Sequence, residues 1–217
     1  MKKFLLYIIS VRFNLRVIWK FFIWNFFTCQ IKRDTGVFIY PYRKTHIQLS
    51  KESKIILHGD LKLNMPEMAY TYKFGYLAMR GNSQLTINKS CELLEEFDVQ
   101  IHDGGHLLID AFHANIDLEI LCGNQTELRG TVVAGRHVRI KDFNGHQVSY
   151  EGYPVSAPIL IDNHTWLCTG VSINPGVHVG AGAVVSDNSC AVNDVEPNTF
   201  VQGNPAKTIR SNIEFCI

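Results

Sequence analysis

From Ile159 to Ala191 the chain repeats a hydrophobic motif every six residues. Ile161, Leu167, Ile173, Val179, Val185 and Ala191 stand six apart. Two positions before each come Ile159, Thr165, Val171, Val177, Ala183 and Ser189, all apolar or small. Just after each come Asp162, Cys168, Asn174, Gly180, Ser186 and Val192, mostly turn formers. The same register runs upstream through Ile116, Cys122, Leu128, Ala134 and Ile140, with Ala114, Ile120, Thr126, Val132 and Val138 two positions earlier. All eleven lead positions are apolar in a chain that is 46% hydrophobic. Chance gives that roughly twice in ten thousand for one fixed register.

A period of six with two inward side chains per unit describes a short strand and a bend. Alternation along the strand sends the lead residue and the one two before it inward, and the residue between them outward. Such units cannot bury their apolar face alone, so they stack into a parallel β-helix. Three units, eighteen residues, make one triangular coil, with Gly, Asn and Asp at the corners. Upstream of Ala114 the pattern loosens. Leu61/Leu63, Leu85/Ile87, Val99/Ile101 and Gly105/Leu107 read as earlier rungs separated by insertions. The insertion 64–84 carries Tyr70, Tyr72 and Tyr76, which either stack on a sugar or cover a coil.

Between Ile140 and Ile161 lie 21 residues instead of 18. The excess predicts a loop leaving the coil with Asp142, Asn144 and His146. A rigid prism with one protruding loop is a usual way to place a reactive group. His146 can act as a general base, since imidazole titrates near neutral pH. Asp142 or Asn144 can fix its tautomer. Trp166 occupies an outward position, where an exposed indole needs a neighbouring subunit or a ligand to cover it.

Length and charge narrow the classes. The 217 residues suit one domain with an appendage, and a net charge of +1 supplies no field for nucleic acid. Six scattered cysteines without a CxxC pair argue against a disulfide framework or zinc site and fit a reducing, cytoplasmic setting. Residues 1–30 differ from the rest: aromatic-rich, basic and without an acidic residue. They predict a helical segment ahead of a β-helix domain over 31–217. Their uncharged runs are too short to span a bilayer, and no small-residue cleavage site marks a signal peptide. Two readings stay open for residues 1–28: a helix lying on the inner face of the cytoplasmic membrane, or one packed on the protein itself or on a sister subunit.

The hexapeptide rungs, the loop His, the Trp opening a rung, "INPGVHVG" and the closing "FVQGNPAKTIR" together resemble the left-handed β-helix acyltransferases. The likeness is nearest to the bacterial sugar O-acetyltransferases of capsule, lipopolysaccharide and wall-polysaccharide pathways. It is strongest over 95–217. The resemblance implies an all-β fold, a left-handed parallel β-helix with a short N-terminal helical segment. It also implies acetyl-CoA as donor, a carbohydrate acceptor, no metal, and homotrimers with active sites between subunits. By the same resemblance His146 is the catalytic base, and the backbone N–H of Thr169 faces the thioester oxygen, aided by the Trp166 indole. Asn204, Ala206, Lys207 and Arg210 of the closing motif would line the CoA groove, with Ser186 and Ser189 beside the CoA. Three departures stand out. Cys168 replaces a Gly, "SDNS" (186–189) replaces a Gly-Ala-Gly-Ser-like turn, and "VND" (192–194) replaces a Thr-Lys-Asp-like one.

Two rival functions remain. A β-helix scaffold without turnover is the non-enzymatic one. A γ-type carbonic anhydrase shares the fold and needs three converging histidines; His102 and His137 are candidates, but position 142, where the third would fall, is Asp.

Overall fold

The computed structural model describes residues 2–66, 73–146 and 155–216. Its body is a parallel β-helix of triangular section. Strands Ile31–Arg33, Ile39–Pro41 and Thr45–Leu49 make the first coil, one on each of three faces. The first face continues through Lys54–Leu57 and ends at Ile159–Ile161 and His178–Val179. The second continues through Asp60–Met65 and ends at Thr165–Leu167, Val184–Val185 and Thr199–Gly203. The third runs from Thr45–Leu49 through Glu119–Cys122 and Arg139–Lys141 to Cys190–Ala191. Three long strands, Gln84–Leu94, His106–Ala114 and Gln125–Ala134, bend from the first face onto the second, with a register shift at the corner.

The inward positions carry the core. Every lead residue and every residue two before it is buried, except Ile116, which is only half-buried. At that point the chain turns a corner, and Leu118 takes the interior place. One pairing also differs from the sequence pattern. The rung Gly105/Leu107 is Leu107/Ile109, in register with Leu85/Ile87 below and Thr126/Leu128 above. Gly105 is a corner instead, so close to the Cys122 carbonyl that a Cβ would lie 2.6 Å from it. Each interior Val, Leu or Ile contributes roughly 1.5–3 kcal/mol by leaving water.

Corners demand backbone that few residues accept. Gly182 sits at φ +71°. A side chain there would also collide with Asn198, whose Oδ1 would lie 2.2 Å from the added Cβ. Asn188, Asn198, His137 and His164 take the left-handed conformation at other corners, which Asn tolerates better than most residues.

Ahead of the coil, α1 (Lys2–Ser10) and α2 (Leu15–Phe22) form a helical pair, followed by a π-helical turn, Ile23–Phe27. Asn14 caps α2 by accepting from the Val17 N–H. Tyr7, Val11, Val17 and Phe21 pack with Tyr40 in a small second core on the outside of the second face. Tyr7 Oη donates to the Pro41 carbonyl at 2.5 Å. Asn25, itself buried, donates to the Ile39 carbonyl and accepts from the Ile39 N–H, both at 2.8 Å. The segment therefore packs on the protein through one side. No helix among the described residues is long and apolar enough to cross a membrane.

The register assignment yields a paired test. Val177→Asp places a charge in the interior and should cost at least about 4 kcal/mol, enough to prevent soluble folding. His178→Ala, one residue on and outward, loses only an exposed contact to Asp162 and should melt within a few degrees of wild type. Thermal denaturation of both variants checks the assignment, and equal tolerance would refute it.

Candidate active site

On the second face the outward residues of successive rungs form a column. Tyr40 stands beside Lys62, Lys62 beside Glu92, then His113, Val133, Trp166, Val184, Phe200 and finally Arg210. Trp166 is 42% exposed. Its ring lies 6.0 Å from that of Phe215, which stacks on His164 at 4.4 Å. The His164 Nε2–H donates to the Phe215 carbonyl at 2.8 Å. The indole is thus partly covered by the chain's own tail segment, a cover the sequence pattern did not reveal.

Beyond Trp166 the chain turns the corner between the second and third faces. Cys168 is buried there. Burial pushes its thiol up to about 11, and the nearby Asp187 adds to the effect. At neutral pH it is a thiol and a poor nucleophile. The Thr169 N–H donates to Asp187 Oδ1 at 2.8 Å. Asp187 lies eighteen residues after Thr169, one coil, so the two are vertical neighbours. That spacing was the signal for the contact, and the sequence reading did not use it. The N–H expected to meet an acyl oxygen is therefore held by a carboxylate in this structure.

After Thr199–Gly203 the chain reverses into an antiparallel strand, Ala206–Ser211, through a cis Asn204–Pro205 bond. Gln202 pairs with Lys207 and Phe200 with Arg210. Asn204, Lys207 and Arg210 are exposed. Neither cation has a salt-bridge partner among the described residues. Ala206 is half-buried against the core. Trp166, Thr169, Asp187, Lys207 and Arg210 so occupy one band, formed by the second face, its edge strand and its corner with the third. Ser186 follows Val185 at the same corner, and its side chain is buried rather than open to a groove. Ser189 does not face a groove. It is an inward residue whose Oγ accepts the Gly203 N–H at 3.0 Å.

The His146 loop lies elsewhere. It departs after Phe143 and rejoins at Ser156, the two paired by an antiparallel bridge. That places it at the corner between the third and first faces, directly opposite the second. His146 is exposed, with Asn144 beside it donating its N–H to the Val155 carbonyl at 2.8 Å. Within one chain His146 and Trp166 stand on opposite sides of the prism, so one coil of separation in sequence does not bring them together.

Asp142 is not on the loop. It is fully buried in the coil. Its carboxylate accepts the N–H groups of Gly123 at 2.6 Å and Asn124 at 3.2 Å, and the Thr126 hydroxyl at 3.0 Å. With those partners it secures the turn below and does not orient His146. His102 is nearby, its ring 4.6 Å from Phe143. Burial, then Arg80, lowers its pKa, with Asp142 opposing. His137 bonds Asp117 instead. No three His, Cys, Asp or Glu groups converge as a metal site among the described residues. Of the three tyrosines in the first insertion, Tyr70 and Tyr72 lie outside the described residues. Tyr76 is exposed and stacked on His46 at 5.2 Å, so it lies on the outside of a coil.

The fold is a hexapeptide-repeat β-helix, and comparison with known proteins finds acetyltransferases among the proteins it is similar to. No protein-family model matches the chain. Galactoside O-acetyltransferase of Escherichia coli K12 is 33% identical over 103 residues, covering 46% of this chain and 50% of that protein. Chloramphenicol acetyltransferase of Agrobacterium fabrum is 41% identical over 63 residues, 29% of this chain and 30% of that one. The chain thus spans half or less of these curated relatives. Among solved structures, the polySia-specific acetyltransferase NeuO superposes with a TM-score of 0.51 at 22% identity, over 88% of this chain and 84% of that one. The resemblance to the hexapeptide-repeat acetyltransferases is borne out, and the fold is their left-handed parallel β-helix.

The buried carboxylate gives a clear expectation. Asp142→Ala leaves two backbone donors and a hydroxyl without an acceptor inside the coil. It should cost about 3 kcal/mol, roughly 10 °C in Tm, whereas Asp142→Asn, which keeps one acceptor oxygen, should cost less. Calorimetric melting of the two variants measures the difference.

Proposed function

We propose that this chain is a sugar O-acetyltransferase that uses acetyl-CoA and works as a homotrimer, each site shared by two copies. The observation that carries the reading is the division of the candidate residues. Trp166, Thr169, Lys207 and Arg210 lie on and beside one face, and His146 stands at the opposite corner. Neighbours around a threefold axis bring the corner of one copy to the face of the next. In this reading Lys207 and Arg210 meet the CoA phosphates as cations, with Asn204 and Ala206 shaping the groove beside them. The backbone at Ser186 lies along the same groove.

His146 takes the proton of the acceptor hydroxyl, and Asn144 holds the imidazole in the tautomer with a free acceptor nitrogen. The sugar oxygen attacks the thioester carbonyl. The C–O bond forms as the carbonyl π bond opens to a tetrahedral oxyanion; the carbonyl then re-forms as the C–S bond breaks, and the proton passes from the imidazolium to the departing CoA sulfur. The Thr169 N–H, with the Trp166 indole N–H, stabilises the developing oxyanion. For that to happen Thr169 must exchange Asp187 for the acyl oxygen. Support for a sugar acceptor comes from the relatives: the names of two of them specify a galactoside and polySia. The proposed acceptor is a sugar of a bacterial surface glycan or its precursor, modified in the cytoplasm. The contact between Asp187 and Thr169 also favours a second reading, a scaffold that binds no acyl donor. Calorimetry with CoA separates the two, since the scaffold gives no heat of binding.

His146→Ala should leave CoA binding and assembly intact and lower turnover by about 10² to 10⁴. Co-expressing His146→Ala chains with Trp166→Ala chains should restore roughly a quarter of the sites, because sites shared between copies complement. A mixture as inactive as its parents would refute the shared site. Asp187→Ala, by freeing the Thr169 N–H and removing a negative charge from the groove, should raise kcat/KM for acetyl-CoA several-fold in steady-state assays.

A further inference from the structure

We infer that the N-terminal helical pair seats this protein on an anionic lipid surface, lying in the plane of the headgroups with its outer side in the membrane. This does not depend on the acetyl-transfer reading.

The two helices are apolar on two sides. In α2, Val17 and Phe21 are buried against the second face. On the opposite side Leu15, Trp19 and Phe22 follow one another at i, i+4 and i+7, and Phe26 extends the line. They are exposed by 81%, 63%, 36% and 54%. At about 100° per residue Leu15, Trp19 and Phe22 lie within about 60° of each other. Tyr7 of α1 and Val11 just after it are buried, while Leu5, Leu6 and Ile9 are each more than half exposed. Phe13 and Phe27, at the ends of α2 and its π-turn, add two more exposed rings. A water-facing helix normally turns charged residues outward. Here the outer side is leucine, isoleucine, phenylalanine and tryptophan.

The charge names the occupant. The first 33 residues contain seven cations, Lys2, Lys3, Arg12, Arg16, Lys20, Lys32 and Arg33, and no Asp or Glu. Lys3 bonds Asp60, and Lys20 is turned inward to the Thr45 carbonyl. Lys2 and Arg16 are exposed on the helices that carry the apolar stripes, and Lys32 is exposed on the strand that follows them. Pairing of two copies through this segment would set cations against cations, with no carboxylate of the segment itself between them. An acidic lipid surface satisfies both the stripe and the cations of the segment. The helices, nine and eight residues long, reach only about 12–14 Å. That rules out a span of the ~30 Å hydrocarbon core and suits an in-plane position. The bonds from Tyr7 and Asn25 to the first coil hold the stripe rigid, so little ordering entropy is lost on docking. The same face carries Trp166 five rungs beyond Tyr40, about 24 Å along the axis at about 4.8 Å per rung.

The test is co-sedimentation of the full chain with vesicles of phosphatidylcholine alone and of an equal mixture with phosphatidylglycerol. The expected result is binding to the mixed vesicles and little to the neutral ones, weaker at high salt. The double variant Leu15→Ser/Trp19→Ser, both positions outside the packed core, should keep the wild-type Tm and lose at least about tenfold in vesicle affinity. Arg16→Glu should lose several-fold. Indifference of the full chain to mixed vesicles would overturn the inference, as would unchanged binding by the double variant. A double variant that bound as before but dissociated into smaller assemblies would assign the stripe to a contact between copies.

Discussion

Every rung of this protein depends on the rungs above and below it for hydrogen bonds. In a parallel β-helix the backbone N–H and C=O groups point along the axis, and a short strand of two or three residues has no other partner. The register between coils is therefore not free. A segment inserted between rungs must leave and return at the same height, and the Phe143–Ser156 bridge closes one such departure. The same vertical rule makes residues one coil apart into neighbours, such as Thr169 and Asp187. It also stacks the outward side chains of each face into columns. The candidate groove is a product of this alignment, since no single segment of the chain contains it.

The six-residue period made most of the coil legible, because interior positions of a solenoid answer to one requirement, small or aliphatic side chains in register. Thr126, Thr165 and Ser189 fit it through their size. Where that requirement stopped, so did the reading. Ile116 keeps the apolar chemistry of the period but sits on a bend, where geometry overrides pattern. Asp142 looks like a loop carboxylate beside a histidine. Its burial depends on Gly123, Asn124 and Thr126, which are near only after the coil has closed. The placement of His146 opposite Trp166 follows from counting faces, a step the linear spacing conceals. The tail contact of Phe215 with His164 spans 51 residues and leaves no periodic trace.

The second face gathers what is unusual about the molecule. Its first rung is covered by the aromatic helices, its middle is a ladder of Lys62, Glu92 and His113, and its upper rungs carry Trp166 and the cationic return strand. Lys62 and Glu92 bond directly across adjacent rungs, and His113 reaches the same carboxylate. The side-chain bonds to Lys62 and His113 hold the Glu92 carboxyl below its ordinary range although its burial opposes this. The ladder thus keeps charge on a surface flanked by apolar groups at both ends.

The antiparallel return of Ala206–Ser211 has a consequence for polymerisation. A stack of parallel rungs presents, at its last coil, a row of unpaired backbone groups, the template on which a second solenoid could add end to end as in a cross-β fibre. On the second face that row belongs to Thr199–Gly203, and the return strand occupies it. The new outer edge runs the opposite way, is short, and displays Lys207 and Arg210. A molecule arriving in parallel finds neither the direction nor the charge it needs. The strand that supplies the candidate phosphate ligands also ends the growth of the sheet on that face.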